Sequence, residues 1–149
     1  PMRQRVVNFS TPYYLDGTAF LTRDPAIRNL QDLALGTIAL IEGSEAVTQV
    51  NYTLPLARLV GIESYQEGYQ VIESGQVDAI GADLTVLAGW VQEYPSYRLL
   101  PSVLTAEPLA IAFPKGNQYI DVQRFVNDAI EEWHADGWLE ERATYWGLP

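Results

Sequence analysis

Between Thr37 and residue 100 the chain alternates four short apolar runs with three amphipathic ones, and that order leaves few architectures open. The runs 37–41, 58–62, 77–82 and 97–100 have strand length, and the segments 45–52, 64–74 and 84–93 between them have helical periodicity. A βαβαβαβ order implies right-handed crossovers and a mostly parallel sheet covered on both faces. The third run carries a clue to chemistry. Val77, Ala79, Ile80 and Ala82 are too apolar to face water on either side, yet the run ends in a lone carboxylate, Asp83. Ligands of open α/β sheets bind beyond the carboxyl ends of the strands, which places Asp83 to meet a cationic group. The competing reading makes it the cap of the helix 84–93.

The first run is followed at once by Glu42-Gly43-Ser44-Glu45 and a helix. A strand, a glycine-containing turn and a helix opened by a serine form a seat for an anion or polar group, because the first-turn N–H groups point outward. Ser44 is equally readable as an ordinary N-cap.

Outside this block, Thr18–Thr22 reads as a strand, and the extended segment 102–113 is too long for one flat strand with Pro108 inside it. It is expected to leave its sheet near Glu107-Pro108 and continue elsewhere. A helix follows from about 118 to 135, with Val122, Phe125, Val126, Ala129, Ile130 and Trp133 on one stripe. Because the βαβ block covers its own sheet, this stripe points to a second lobe. His134 lies near that helix's C-terminus, where an imidazolium suits the dipole. Glu131, Glu132, Glu140 and Glu141 fall off the stripe as a solvated face.

Composition narrows the functions. The 149 residues carry a net charge of −10, and Lys115 is the only lysine, so nucleic acid and anionic membrane surfaces are poor partners. With no cysteine and one histidine, disulfides, thiolate chemistry, cysteine-ligated metals and multi-histidine sites are excluded, and no cofactor or metal is expected. No serine–histidine–acid set, phosphate loop or paired-carboxylate site has a convincing spacing. There is no apolar run of ~18 residues and no signal peptide. The start at Pro1 reads as that of a processed or cut chain.

Several segments together resemble the extracytoplasmic solute-binding proteins that deliver amino acids to ABC transporters. They are Arg3…Val7-Asn8-Phe9-Ser10-Thr11-Pro12-Tyr13-Tyr14…Gly17, Leu30-Gln31-Asp32-Leu33…Gly36-Thr37-Ile38…Gly43-Ser44, Gly75-Gln76-Val77-Asp78-Ala79…Asp83, and Asn117…Trp133…Asp136-Gly137…Tyr145-Trp146-Gly147. The resemblance implies an α/β fold of the type II periplasmic-binding-protein class, two lobes closing on a ligand. On it, residues 1–17 end the first half of an incomplete lobe 1, 18–22 and 107–113 are crossing strands, 23–106 form a complete lobe 2, and 114–149 are returning helices of lobe 1. Arg3 matches the arginine that binds the ligand α-carboxylate, Asp83 the acid that takes the α-ammonium, and Ser44 a hydroxyl that contacts the carboxylate or the side chain. Such pairing suits both groups, since a guanidinium grips a carboxylate in bidentate fashion and an ionised aspartate makes a charge-assisted bond to ammonium.

The family also carries a βαβ portion of lobe 1 ahead of Arg3 that this chain lacks. The chain is therefore expected to be a fragment with weak or absent affinity, prone to form a homo-oligomer or swapped dimer through uncovered apolar surface. The implied role is small amino-acid binding for an ABC transporter permease, in a periplasmic or other extracytoplasmic location. A sensory domain of a receptor kinase or cyclase is the alternative. A cyclohexadienyl-dehydratase-like enzyme is a third reading, for which only Glu42, Glu45 or Asp83 could supply a general acid.

Overall fold

The computed structural model describes residues 5–149, and these fall into two units. Unit 2, Gly17–Ala106, holds the alternating block. Its sheet contains β3 (Thr18–Thr22), β4 (Thr37–Ile41), β5 (Arg58–Ile62), β6 (Ala79–Asp83) and β7 (Arg98–Leu99), in the order β5-β4-β6-β3-β7. The helices α1 (Glu45–Thr53), α2 (Tyr65–Glu73) and α3 (Leu84–Glu93) lie between the strands in sequence, as the periodicity predicts. Strand β4 runs parallel to both β5 and β6. The sheet is less parallel than its βαβ order suggests. Thr18–Thr22 enters between β6 and β7 and pairs antiparallel with both.

Side-chain alternation then builds two cores. Ala19, Leu21 and Ile80 join Ile62, Ile72, Leu87 and Trp90 on one face, while Phe20 and Ala79 join Leu33, Ile38, Leu40 and Val50 on the other. All five residues of β3 are buried, as expected of a strand covered on both sides. The backbones approach closely here. A Cβ on Gly81 would stand 2.5 Å from Leu40 Cδ2 and 3.1 Å from Phe20 Cε1, so only glycine fits without repacking.

The two aspartates of the 75–84 stretch separate to opposite ends of β6. Asp78 ties the amino ends of β4 and β6 to the carboxyl end of the antiparallel β3, with Oδ2 accepting from Thr37 N at 2.7 Å and its carbonyl accepting from Thr22 Oγ1 at 2.7 Å. Asp83 ends the strand at the carboxyl edge. Arg98 is half-buried and spends its guanidinium on the carbonyls of Asp24 and Ile27.

Beside β7, Tyr97 is buried and donates its phenol hydrogen to Glu73 Oε1, and Glu73 also pairs with Arg23 at 3.1 Å. Burial, then the bond to Glu73, holds the Tyr97 phenol well above the ordinary tyrosine value of 10.0. A group whose pKa is raised by folding contributes stability that is complete below its unfolded value and is lost as pH climbs from there through the folded value. Urea titrations of Tyr97→Phe should accordingly show a shallower decline of stability above pH 10 than the parent chain. A decline of unchanged steepness would remove Tyr97 from the alkaline limb.

Unit 1 comprises the described residues up to Asp16 together with Glu107–Pro149. It contains two small antiparallel sheets, β1 (Val7–Phe9) with β9 (Ala112–Pro114) and β2 (Tyr14–Asp16) with β8 (Glu107–Leu109). The segment around Pro108 thus divides as its length and proline predict. Pro108 stands opposite Leu15 in a two-stranded ladder, where a missing N–H is tolerated. The helices α4 (Ile120–Ala135) and α5 (Trp138–Tyr145) complete the unit.

Helix α4 does not dock through the stripe that its apolar residues suggest. Of Val122, Phe125, Val126, Ala129, Ile130 and Trp133, Ile130 alone is buried, and Phe125 is 74% exposed. The docking row is Gln123, Asn127, Ile130 and His134, spaced four, three and four residues apart on one helical face. Gln123 Nε2 donates to Phe9 O at 3.3 Å, Asn127 Oδ1 accepts from Thr11 N at 2.9 Å, and His134 Nε2 lies 3.1 Å from Pro12 O. These side chains satisfy the backbone of the irregular 9–12 segment, which has no ladder partner for those groups. His134 also stands 3.6 Å from Glu140.

Candidate functional site

The carboxyl edge of the unit 2 sheet collects the polar groups that the sequence singles out. Strands β4 and β6 are parallel neighbours, with Ile38 beside Ala79 and Ala39 beside Ile80, so both point their carboxyl ends the same way. The same offset carried on sets residue 42 beside residue 83, and Ser44 follows two residues later. Adjacent strands lie only ~4.8 Å apart. Ser44 and Asp83 therefore belong to one edge although 39 positions separate them in the chain. Arg3 lies outside the described residues.

Asp83 is exposed and has the extended backbone of an N-cap, but its side chain makes no cap hydrogen bond to the first turn of α3. The first amide of that helix, Leu84 N, donates instead to Gly17 O at 2.8 Å. The capping reading of Asp83 is thus not what its side chain does. Opposite Asp83 in the ladder is Thr18, 2% exposed, whose N–H donates to Thr105 Oγ1 at 2.8 Å.

Ser44 likewise stands at the N-cap of α1 without making the side-chain bond of a cap. Its Oγ is buried and has no hydrogen-bond partner among the described residues. Leaving a buried hydroxyl unsatisfied costs on the order of 1–3 kcal/mol, a cost that a bound polar group would remove. Gly43 before it adopts φ +72°, the left-handed conformation that turns the chain from strand to helix within two residues.

Tyr65 was not legible as a member of this edge. As the first residue of α2, after the carboxyl end of β5, it reports the Asp83 charge directly, since its phenol pKa is raised first by burial and then by that carboxylate. The available signal was positional, since a residue that opens a helix after a parallel strand shares the edge with its neighbours. As a chemical device, the edge offers the Asp83 carboxylate, a buried hydroxyl at Ser44, a phenol and the start of α1, with Glu42 and Glu45 on either side of the Gly43-Ser44 turn. It suits a small ligand carrying an ammonium and an acceptor group.

No protein-family model matches the chain. It is 28% identical over 146 residues to the ABC transporter glutamine-binding protein GlnH of Bacillus subtilis, covering 97% of this chain and 53% of that protein. It is 31% identical over 151 residues to the glutamate-binding protein GluB of Corynebacterium glutamicum, covering 95% of this chain and 50% of that protein. Among solved structures it matches an ancestral cationic amino acid solute-binding protein with a TM-score of 0.80 at 26% identity, over 99% of this chain and 65% of the other. The chain spans about half the length of the curated relatives it matches. The shared fold is α/β and of the type II periplasmic-binding-protein class. By sequence and by fold, the chain is homologous to part of the amino-acid-binding proteins of ABC transporters, and the structures it resembles are family 3 solute-binding proteins.

Proposed function

We propose that this chain contributes to binding a small amino acid for delivery to an ABC transporter permease, in an extracytoplasmic location, and that it does so by binding rather than by catalysis. On this reading unit 2 is the complete lobe and unit 1 part of the other. Asp83 takes the ligand α-ammonium, the Ser44 hydroxyl meets its carboxylate or side chain, and Arg3 is the guanidinium for the α-carboxylate. The observation that carries the reading is the buried Ser44 Oγ, unpartnered among the described residues, at the same strand edge as Asp83, whose carboxylate is not used as a helix cap. The kinship to proteins named for binding glutamine and glutamate supports it.

An NMR titration of the chain with a panel of amino acids tests this. Amides of Ser44, Glu45 and Leu84 are expected to shift with at least one of them, saturating near ~1 mM or above, about −4 kcal/mol. Shifts confined to other surfaces would overturn it.

The exposed Val122 and Phe125 of α4 further support self-association of the 149-residue chain. Light scattering should find a dimer or larger species that Phe125→Glu returns to monomer. A parent chain that is monomeric at high concentration would end that proposal.

A further inference from the structure

A second feature of unit 2 adjoins that edge at Tyr65 and is not used by the reading above. Between α2 and α3 runs a groove of about 620 Å³, walled by Tyr65, Tyr69, Trp90 and Tyr94, with Gln66 and Glu93 at its polar margin. The rings touch in tilted and edge-on arrangements, with centroids 5.0 Å apart for Tyr69–Tyr94, 6.1 Å for Tyr69–Trp90 and 6.4 Å for Trp90–Tyr94. No lysine, arginine or histidine lines the groove. Aromatic surface beside the Glu93 carboxylate, which accepts from the Tyr94 phenol, makes a negative environment that attracts an organic cation and that offers a simple anion nothing.

Trp90 adds a directional demand. It is 9% exposed, and its benzo end reaches toward Gly68, where a Cβ would stand 3.8 Å from Cη2. Its indole Nε1 is buried and has no acceptor among the described residues. An indole N–H is a donor only, so nothing but an acceptor satisfies it. For Trp90 a place in the core is half the account. The ring packs into the apolar cluster above β6 while its one polar atom goes unused.

We propose that this groove binds a small organic ammonium ion carrying an oxygen acceptor, the cation held by the aromatic faces and Glu93 and the oxygen accepting from the Trp90 indole N–H. The volume lies within the range of small-molecule sites.

Choline is the probe, with its neutral carbon isostere dimethylbutanol as the control, each titrated into the 149-residue chain. The Trp90 indole N–H signal is followed by NMR, assigned by comparison with Trp90→Phe. Choline is expected to shift that signal and to bind about tenfold more tightly than the isostere, the scale of a desolvated cation–π contact plus a nearby carboxylate. Glu93→Gln, at an exposed position, should keep the fold and remove most of that preference. Equal response to both compounds would reduce the groove to an apolar slot and overturn the proposal. So would shifts confined to the Ser44 and Leu84 amides, which would place the cation at Asp83, or no shift of the indole signal at all.

Discussion

Asp83→Asn is expected to weaken amino-acid binding by about tenfold to a hundredfold. The change keeps the side chain's shape and removes its charge. A hydrogen bond to a charged group contributes roughly 1.5–3 kcal/mol, and each ~1.4 kcal/mol is tenfold in affinity. For a chain whose own affinity is expected near the millimolar range, the NMR response at Ser44 and Leu84 should then no longer saturate. Two controls separate this effect from general damage. Asp78→Asn alters the other aspartate of the same strand, at the end where it accepts from Thr37 N, and should lower stability by about 1 kcal/mol while leaving the ligand response in place. The Tyr65 phenol offers a readout that needs no ligand. The Asp83 charge helps to raise its pKa, so Asp83→Asn should bring it back toward the ordinary value, leaving the part due to burial. Unchanged amino-acid affinity in Asp83→Asn would remove the residue from the binding role.

Phe20→Ala is expected to cost about 3–5 kcal/mol, read as a lower urea midpoint at unchanged slope. Phe20 is 0% exposed in the middle of β3, and its ring packs over Gly81 of the neighbouring strand and among Leu33, Ile38, Leu40 and Val50. No adjacent side chain is free to fill the hole, because β3 is paired on both edges and covered on both faces. Against a typical total of 5–15 kcal/mol, this loss alone approaches unfolding. Tyr52→Ala, at a residue 86% exposed, removes a ring of similar size and should stay within about 0.5 kcal/mol. Equal losses at the two positions would show that unit 2 is not organised around the strand that Phe20 occupies.

The contrast between those positions marks where local pattern suffices. Short apolar runs separated by amphipathic ones were enough to locate β4, α1, β5, α2, β6 and α3 nearly to the residue, since alternation and 3.6-residue periodicity are properties of consecutive side chains. The ends of strands were legible for the same reason, and so were Ser44 and Asp83 as candidates. Pairing was not. A run such as Thr18–Thr22, three apolar residues between two threonines, does not say which strands it will pair with, and only its hydrogen bonds to β6 and β7 decide that. The docking face of α4 escaped for a related reason. Hydrophobicity favoured the Phe125 stripe, but the helix meets an irregular backbone whose unsatisfied N–H and C=O groups select Gln123, Asn127 and His134 instead.

By itself, then, the order of residues determined the elements of unit 2, the apolar content of its strands and the carboxylate at the end of one of them, because each of these depends on neighbours along the chain. Tertiary structure alone decided that Ser44 and Asp83 share an edge, that Tyr65 feels the Asp83 charge, and that the Ser44 hydroxyl and the Trp90 indole are buried without partners among the described residues. Those facts depend on which strands pair and what covers them, and on distances between groups that no local spacing encodes.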